Sequence, residues 1–276
     1  MPFQSLPKFI EYFRAAALSL VLPAALTLVL PAALSLSGCR GDPNDDIALV
    51  AVATNFKTTF ETLEAAFEAE TDFDVTQVNG SSGSLYTKII NGAPYHAFLS
   101  ADQWRPQQLE QKDVASRRFT YAKGALVLWS KTDKLTPLST LDLLGDPAVK
   151  PIAIANPALA PYGAAAQQTF ASLNLSPRRR LVVGENVGQA FALVQSGNAR
   201  IGLVAKSDAQ RFQERSQGGS YTVIDPALYA PIRQDAVLLN NGDNHDAAKA
   251  FFAFLQSPTA QNIIQSGGYQ LDTSLN

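Results

Sequence analysis

A recurring order of short segments constrains the fold of this chain more than any other feature. Four times, an apolar stretch typical of a buried strand leads into a small polar turn and then into an amphipathic helix. The units follow no fixed repeat period. Strands that alternate with helices in this way indicate an α/β protein with largely parallel sheets.

The first two units precede residue 130. One joins IALVAVA through Thr54 and Asn55 to a helix, and the other joins DVTQV through a serine-rich turn at Ser82 to a second helix. In the first helix, spacings of four, three and four place the apolar side chains on one face: Phe56, Phe60, Leu63 and Phe67. Gly92 and Pro94 are typical of the end of the second helix.

The other two units follow residue 130. One joins KPIAIAN to a helix at Pro161-Tyr162-Gly163, and the other joins RLVVGEN to a helix at Val187-Gly188 that ends at Gly197. Between the two pairs lies GALVLWSK (124–131), and RQDAVLLNN (233–241) is similar in character. These two segments are predicted to carry the chain from one lobe to a second lobe and back.

We therefore predict a two-lobed α/β fold in which each lobe is a mostly parallel sheet flanked by helices, with the two crossover strands as the hinge. Residues 47–126 and 235–276 would form the first lobe, and residues 127–234 would form the second. The composition suits such a globular fold, since 46% of the residues are hydrophobic and 17% are charged. The net charge of −2 gives no indication of a nucleic-acid partner.

The N-terminal segment differs from the rest of the chain. Lys8 and Arg14 precede an uncharged apolar stretch (15–38) that is long enough to span a bilayer and contains two prolines. It ends in Leu-Ser-Gly-Cys at Cys39, the only cysteine, and this motif resembles the bacterial lipobox. We expect residues 1–38 to be a lipoprotein signal peptide. The alternative is a transmembrane anchor followed by a chance cysteine.

Lipidation of Cys39 would leave no thiol for a disulfide, a metal or catalysis. Residues 39–46 are mostly polar and are predicted to be a tether. The folded part would then be extracytoplasmic and held to the membrane through lipid at Cys39.

The four polar turns indicate a possible anion site. A helix N-terminus presents unpaired N–H groups and a partial positive charge. If two such termini from each lobe face one cleft, they would surround an oxyanion with neutral donors, because hydrogen bonds to a charged group are stronger. The candidate donors are the hydroxyls of Thr54, Ser82 and Tyr162 and the backbone N–H groups of Asn55, Tyr162 and Val187. Each position alone is more often a helix cap than a ligand.

The chain resembles the periplasmic molybdate-binding proteins, the solute receptors of molybdate ABC transporters, over residues 47–272. The motifs that carry the resemblance are, in order, AVATNFKTTFETLEAAFE, NGSSGSLYTKIINGAPYHAFLSAD, NPALAPYGAAAQQTF, GENVGQAFALVQSGNARIGLVAKSDA and SPTAQNIIQSGGY. The resemblance implies a type II periplasmic-binding-protein fold and a monomer. It also implies capture of molybdate, and of tungstate, as a transported ligand rather than a cofactor, with delivery to ABC permease subunits.

Carried over residue by residue, the resemblance places oxyanion ligands at Thr54 with Asn55 beside it, at Ser82, at the N–H of Tyr162 and at Val187. Many family members have alanine at the position of Tyr162 and tyrosine at the position of Ala205. The Tyr162 hydroxyl is expected to replace the one missing at Ala205.

The family pattern and the position in the chain predict roles for several further residues. His96 stands where the family often has aspartate, and it is expected to support the binding turns rather than to touch the ion. Trp104 is expected near the rim of the cleft, whereas Trp129 is expected to pack inside a lobe. The run Arg178-Arg179-Arg180 is more typical of a solvated corner than of a binding patch.

The sequence supports other functions less well or leaves them open. A hydrolase is disfavoured, because NGSSGS contains no Gly-x-Ser-x-Gly and neither His96 nor His245 lies in a recognisable base context. The chain also lacks a phosphate-binding P-loop motif. A receptor for another tetrahedral oxyanion, such as sulfate or phosphate, stays open. A lipid-anchored oxyanion sensor that feeds no transporter also stays open.

Overall fold

The computed structural model describes residues 46–132, 140–177, 180–215 and 218–272. The predicted signal peptide, the lipidation at Cys39 and nearly all of the tether lie outside these ranges, as do Arg178 and Arg179. Within the described ranges, no helix is both long enough and apolar enough to cross a membrane. The same ranges contain two five-stranded sheets, each flanked by helices. The predicted two-lobed α/β fold is therefore confirmed.

The first sheet contains the strands that begin the chain and one strand that returns late. Numbered in chain order, its strands are β1 (Ile47–Ala53), β2 (Asp74–Gly80), β3 (Ala97–Leu99), β4 (Ala115–Gly124) and β10 (Ile232–Leu239). Their order across the sheet is β2-β1-β3-β10-β4. Strand β1 is parallel to β2 and β3, whereas β10 is antiparallel to both of its neighbours. All strands except β10 therefore run in one direction.

Helices cover both faces of this sheet: α1 (Lys57–Glu70), α2 (Ser82–Ile90), α3 (Trp104–Gln111), α8 (Asp246–Phe254) and α9 (Pro258–Ser266). The predicted apolar face of α1 is confirmed, because all four of its aromatic and leucine positions are fully buried. The rings of Phe60 and Phe67 lie 5.2 and 5.3 Å from the ring of Phe251 in α8. Aromatic packing between α1 and α8 thus fixes the first helix against its sheet.

The second sheet repeats the plan of the first. Its strands are β5 (Leu126–Ser130), β6 (Ile152–Ala155), β7 (Leu181–Gly184), β8 (Ile201–Ala205) and β9 (Ser220–Val223), in the order β7-β6-β8-β5-β9. In this sheet, β5 is the strand that runs antiparallel to its neighbours. The helices are α4 (Thr140–Gly145), α5 (Pro161–Ser172), α6 (Val187–Gln195) and α7 (Lys206–Glu214). Trp129 is fully buried and stacks on Phe191 at 4.2 Å, as expected for a packing role.

The two passages between the lobes are short. Strand β4 ends at Gly124 in the first sheet, and β5 begins at Leu126 in the second. The return lies between Val223 and Ile232. The segments predicted as crossover strands therefore lie mainly within single sheets, and the connections beside them are where a hinge motion would be absorbed.

The contact between α1 and α8 gives a test of the first core. We expect Phe251→Ala to lower the free energy of unfolding by about 3–5 kcal/mol, because it removes a fully buried ring and leaves a cavity. Urea unfolding followed by circular dichroism measures this. Glu61→Ala is the matched control on α1, since it removes only an exposed ion pair with Lys57 and should change stability by less than about 0.5 kcal/mol. Similar losses in both variants would contradict this packing.

Candidate functional site

The predicted binding turns all lie at the carboxyl ends of strands that run in the same direction within each sheet. Strand β1 leads into a short 3-10 turn at Thr54–Phe56, and β2 leads into α2, which begins at Ser82. In the second lobe, α5 begins at Pro161 and α6 begins at Val187. In parallel sheets this edge is where ligands bind. The predicted starts of α2, α5 and α6 are confirmed, whereas the first predicted start forms a 3-10 turn and α1 begins after it, at Lys57.

The helix caps are different residues from the predicted ligands. The side chain of Ser81 caps α2 by accepting from the N–H of Ser84, and Asn186 caps α6 by accepting from the N–H of Gln189. Ser82 and Val187 each follow a cap as the first residue of their helix. A capping role therefore does not account for the positions of these two residues.

Close contacts join the two lobes at these turns. The backbone N–H of Gly83 in α2 donates to the carbonyl of Leu159, just before α5, at 2.8 Å. A Cβ added to Gly188 in α6 would lie 2.5 Å from Cγ2 of Thr54. Both pairs cross from the first lobe to the second. The structure therefore brings all four turns to one closed interface between the lobes.

Ser82 is buried and accepts a hydrogen bond from the backbone. Its side chain is 1% exposed, and its Oγ accepts from the backbone N–H of Ala101 at 2.9 Å. That bond uses a lone pair of the oxygen, so the hydroxyl hydrogen is available to an acceptor in the cleft.

The side chains of Thr54 and Asn55 are both bonded within the protein. The Thr54 hydroxyl donates to the carbonyl of Gly80 at 2.8 Å, so it would have to turn before it could donate to an anion. The Asn55 side chain is buried, and its Nδ2 donates to Gln234 and to the Tyr269 hydroxyl at 2.8 and 3.1 Å. For Asn55, this leaves the backbone N–H as the group proposed for binding.

Tyr162 and Val187 are buried on the second-lobe side of the interface. The Tyr162 hydroxyl oxygen accepts from Nε2 of Gln234 at 3.3 Å, and any side chain at Gly124 would overlap it. Burial raises the pKa of the Tyr162 hydroxyl well above its ordinary value, and the nearby Tyr269 raises it further. The group therefore keeps its hydrogen at neutral pH and can donate it.

The structure adds four residues that sequence reasoning missed: Tyr121, Ser207, Gln234 and Tyr269. They form a buried polar network with Asn55 and Tyr162. The Tyr269 hydroxyl donates to the Asn55 carbonyl at 2.6 Å, and the Ser207 hydroxyl lies 3.3 Å from the same oxygen. The sequence signal that could have identified Gln234 is its polar side chain within the predicted strand RQDAVLLNN (233–241).

A carboxyl group lies next to this interface. Asp208, in the first turn of α7, lines a cavity of about 260 Å³ together with Thr54 and Gly188. Desolvation raises the pKa of Asp208 to about 7, although Arg211 acts in the opposite direction. Near neutral pH the carboxyl is therefore partly protonated, which limits its repulsion of an anion in the cleft.

His96 and Trp104 do not belong to the buried polar network. His96 accepts at Nδ1 from the N–H of Leu49 at 2.9 Å, and its ring packs on His245 at 3.9 Å. Leu49 lies near the beginning of β1, so His96 supports the opposite end of this strand rather than the binding turn. Trp104 is 58% exposed and lines a separate groove between the lobes, which agrees with a position at the rim.

Comparison with known proteins places the chain in a family. The sequence profile of the bacterial extracellular solute-binding proteins matches residues 48–270. The molybdate-binding protein ModA of Azotobacter vinelandii is 41% identical over 226 residues, which cover 80% of this chain and 89% of that protein. ModA of Rhodobacter capsulatus is 40% identical over 230 residues, covering 80% and 87%.

A solved structure agrees with the sequence comparison. The periplasmic molybdate-binding protein of Azotobacter vinelandii superposes with a TM-score of 0.75 at 36% identity, covering 82% of this chain and 100% of that one. The chain belongs to the bacterial extracellular solute-binding proteins. Within that family it groups with the periplasmic molybdate-binding proteins.

The contact between Gly188 and Thr54 predicts that lobe closure needs glycine at this position. We expect Gly188→Ala to leave the fold intact but to disfavour the closed form, because the new methyl group would overlap Thr54. Small-angle X-ray scattering with added molybdate, the ligand named for the relatives, should give a larger radius of gyration than for the unsubstituted protein. Gly145→Ala is the matched control, since its nearest neighbour would be 4.0 Å away. Equal compaction of both variants would contradict the contact.

Proposed function

We propose that this protein is an extracytoplasmic receptor that captures molybdate between its two lobes and delivers it to the permease of an ABC transporter. The observation that carries the proposal is the closed interface, where uncharged donors from both lobes are brought together by buried turns. The proposed ligands are Thr54, Asn55, Ser82, Tyr162 and Val187. Closure over an anion would exclude water and strengthen each hydrogen bond.

The chemistry of the donors favours a guest that accepts hydrogen bonds on all of its oxygens. Ser82 and Tyr162 each use their oxygen as an acceptor towards protein and retain a hydrogen for the cleft. Helix N-termini add backbone N–H groups and a partial positive charge. A fully deprotonated tetrahedral dianion meets these requirements. Tungstate has the same charge and shape as molybdate, and we propose that it binds as well.

Sulfate and phosphate are the alternative guests. Phosphate at neutral pH carries a proton and would need an acceptor in the pocket, and the proposed ligand set contains no carboxylate. Sulfate has no such proton, so hydrogen-bond donors alone do not exclude it. The relatives at 40–41% identity are named molybdate-binding proteins, which favours molybdate as the cargo.

A titration series tests the identity of the guest. Isothermal calorimetry and thermal unfolding with molybdate, tungstate, sulfate and phosphate should show tight binding and a raised melting temperature for the first two only. Preferential binding of sulfate would overturn molybdate as the cargo but keep the oxyanion site. An absence of binding to all four would overturn the proposal.

The family to which the chain belongs supports transport rather than sensing, and transport is testable in cells. A deletion of the gene should abolish growth that depends on traces of molybdate and should leave growth at high molybdate unchanged. Molybdate uptake by the deletion strain at the level of the parent strain would favour the alternative, in which the protein is a lipid-anchored sensor. The oxyanion is cargo in either case, and the proposal includes no catalytic step.

We expect Ser82→Ala to weaken molybdate binding by roughly 1–3 kcal/mol, the scale of one hydrogen bond to a charged group. Calorimetry at fixed pH and salt measures the change. Ser172→Ala is the matched control, because the hydroxyl of Ser172 donates to Leu228 on the surface of the second lobe. Unchanged affinity in Ser82→Ala would remove this residue from the proposed ligand set.

We also propose that lipid at Cys39 holds the protein to the membrane. We expect Cys39→Ser to move the protein from the membrane fraction to the soluble extracytoplasmic fraction or to leave it as an unprocessed precursor. Fractionation with mass spectrometry of the N-terminus distinguishes these forms. An unmodified Cys39 in membrane-bound protein would contradict the lipid anchor and would favour a transmembrane anchor.

A further inference from the structure

We infer that Gln234 is a positioning residue of the anion site: its amide directs the hydroxyl hydrogen of Tyr162 into the cleft. Gln234 lies in β10 of the first lobe, whereas Tyr162 lies in the first turn of α5 of the second. The inference rests on the proposed function, because it assigns the residue that makes Tyr162 a donor for the oxyanion. Gln234 itself is not proposed to touch the ion.

The orientation of the Gln234 amide is set by its partners in the first lobe. Its Oε1 accepts from Nδ2 of Asn55 at 2.8 Å. The hydroxyl of Tyr121 lies 3.1 Å from the same oxygen and 3.2 Å from the carbonyl of Ser100, and its one hydrogen can serve either acceptor. The donor from Asn55 therefore sets the Oε1 end of the amide as the carbonyl. The NH₂ end therefore faces the second lobe, where it lies 3.3 Å from the hydroxyl oxygen of Tyr162.

The amide in turn sets the role of Tyr162. A phenolic hydroxyl can donate one hydrogen and can accept through its oxygen. Because Gln234 donates to that oxygen, the hydroxyl hydrogen of Tyr162 cannot point at Gln234 and is left for another acceptor. Among the described residues, the bond from Gln234 is the hydrogen bond that the structure shows for this hydroxyl. An oxygen of the bound dianion would be its acceptor.

Burial leaves the hydrogen bond between Gln234 and Tyr162 few alternatives. Gln234 is fully buried and Tyr162 is 1% exposed, so water cannot easily replace either partner in the closed form. A buried polar group that loses its partner is costly, which favours the one arrangement that satisfies both. Burial also keeps the hydroxyl protonated, since it raises the pKa of Tyr162 well above the usual range. The Tyr162 hydroxyl therefore keeps its hydrogen, which points away from Gln234.

The test exchanges the donor for an acceptor of the same shape. In Gln234→Glu, an ionised carboxylate would accept the hydrogen of Tyr162 and turn it away from the cleft. We expect molybdate affinity to fall at least tenfold at pH 9 relative to the unsubstituted protein. As the pH is lowered to 6, the buried carboxyl should become protonated and donate again, so the ratio of affinities should recover.

A double-mutant cycle separates positioning from simple repulsion. The charge of Gln234→Glu would also repel the dianion directly, and that effect should persist in a Tyr162→Phe background. If Gln234 acts through Tyr162, the loss on Gln234→Glu should be several-fold smaller in the Tyr162→Phe background. An equal loss in both backgrounds, or affinity in Gln234→Glu that is unchanged at pH 9, would overturn the inference.

Two further variants keep the test decisive. Gln234→Met removes both donor and acceptor, and it should lose affinity without the pH dependence of Gln234→Glu. If Gln234→Glu fails to fold, the cycle of Gln234→Met with Tyr162→Phe carries the test, and additive losses would overturn the inference. Ser130→Ala is the control for loss of a buried polar group in the second lobe, and it should lower the melting temperature without changing affinity.

The outcomes separate this inference from the proposed function. Molybdate binding by the unsubstituted protein without coupling between Gln234 and Tyr162 would overturn the inference alone. Failure of the unsubstituted protein to bind molybdate would overturn the proposed function and the inference with it. Tight binding together with coupling would support both.

Discussion

The proposed site depends on a set of neutral hydrogen-bond donors that are buried where the two lobes meet. Ser82, Tyr162 and Val187 are almost inaccessible in the closed form, and each lies at or beside a helix N-terminus. Buried polar groups are costly unless they are paired, and this interface pairs many of them across the lobes. The donors that remain directed at the cleft are the ones that an anion would satisfy. Closure and capture are therefore one process in this account.

The network behind the cleft holds these donors in place. Asn55, Gln234 and Tyr269 in the first lobe connect to Tyr162 and Ser207 in the second, and every link lies within hydrogen-bond distance. Such a network positions groups without adding charge. It explains how a dianion could be bound without lysine or arginine among the proposed ligands. Glycine at position 188 then permits the final approach of the lobes, because it leaves room for Thr54.

Local patterns in the sequence predicted much of the fold. The starts of α2, α5 and α6 were predicted correctly because a helix start depends on neighbouring residues: a polar cap in α2 and α6, and a proline in the first turn of α5. The structure adds that Ser81, the residue before Ser82, is the cap of α2. The resemblance to a known family supplied the rest of the candidate ligand set, which local patterns alone could not have separated from ordinary caps.

The buried polar network and the bonds made by Thr54 and His96 could not be predicted, because they depend on contacts between distant parts of the chain. Asn55 meets Gln234 across 179 positions, and Ser207 meets Asn55 across 152. No local period or turn signal encodes such pairs. For the same reason, the bond from Thr54 to Gly80 and the position of His96 at the far end of β1 emerged only from the folded chain.

One measurement tests the central claim directly: a crystal structure of the protein grown with molybdate, with the metal located by its anomalous scattering. The account predicts a single strong peak between the lobes, enclosed by the turns at Thr54, Ser82, Tyr162 and Val187, with neutral donors around each oxygen. A peak on the outer surface, or an ion held mainly by lysine and arginine side chains, would contradict it.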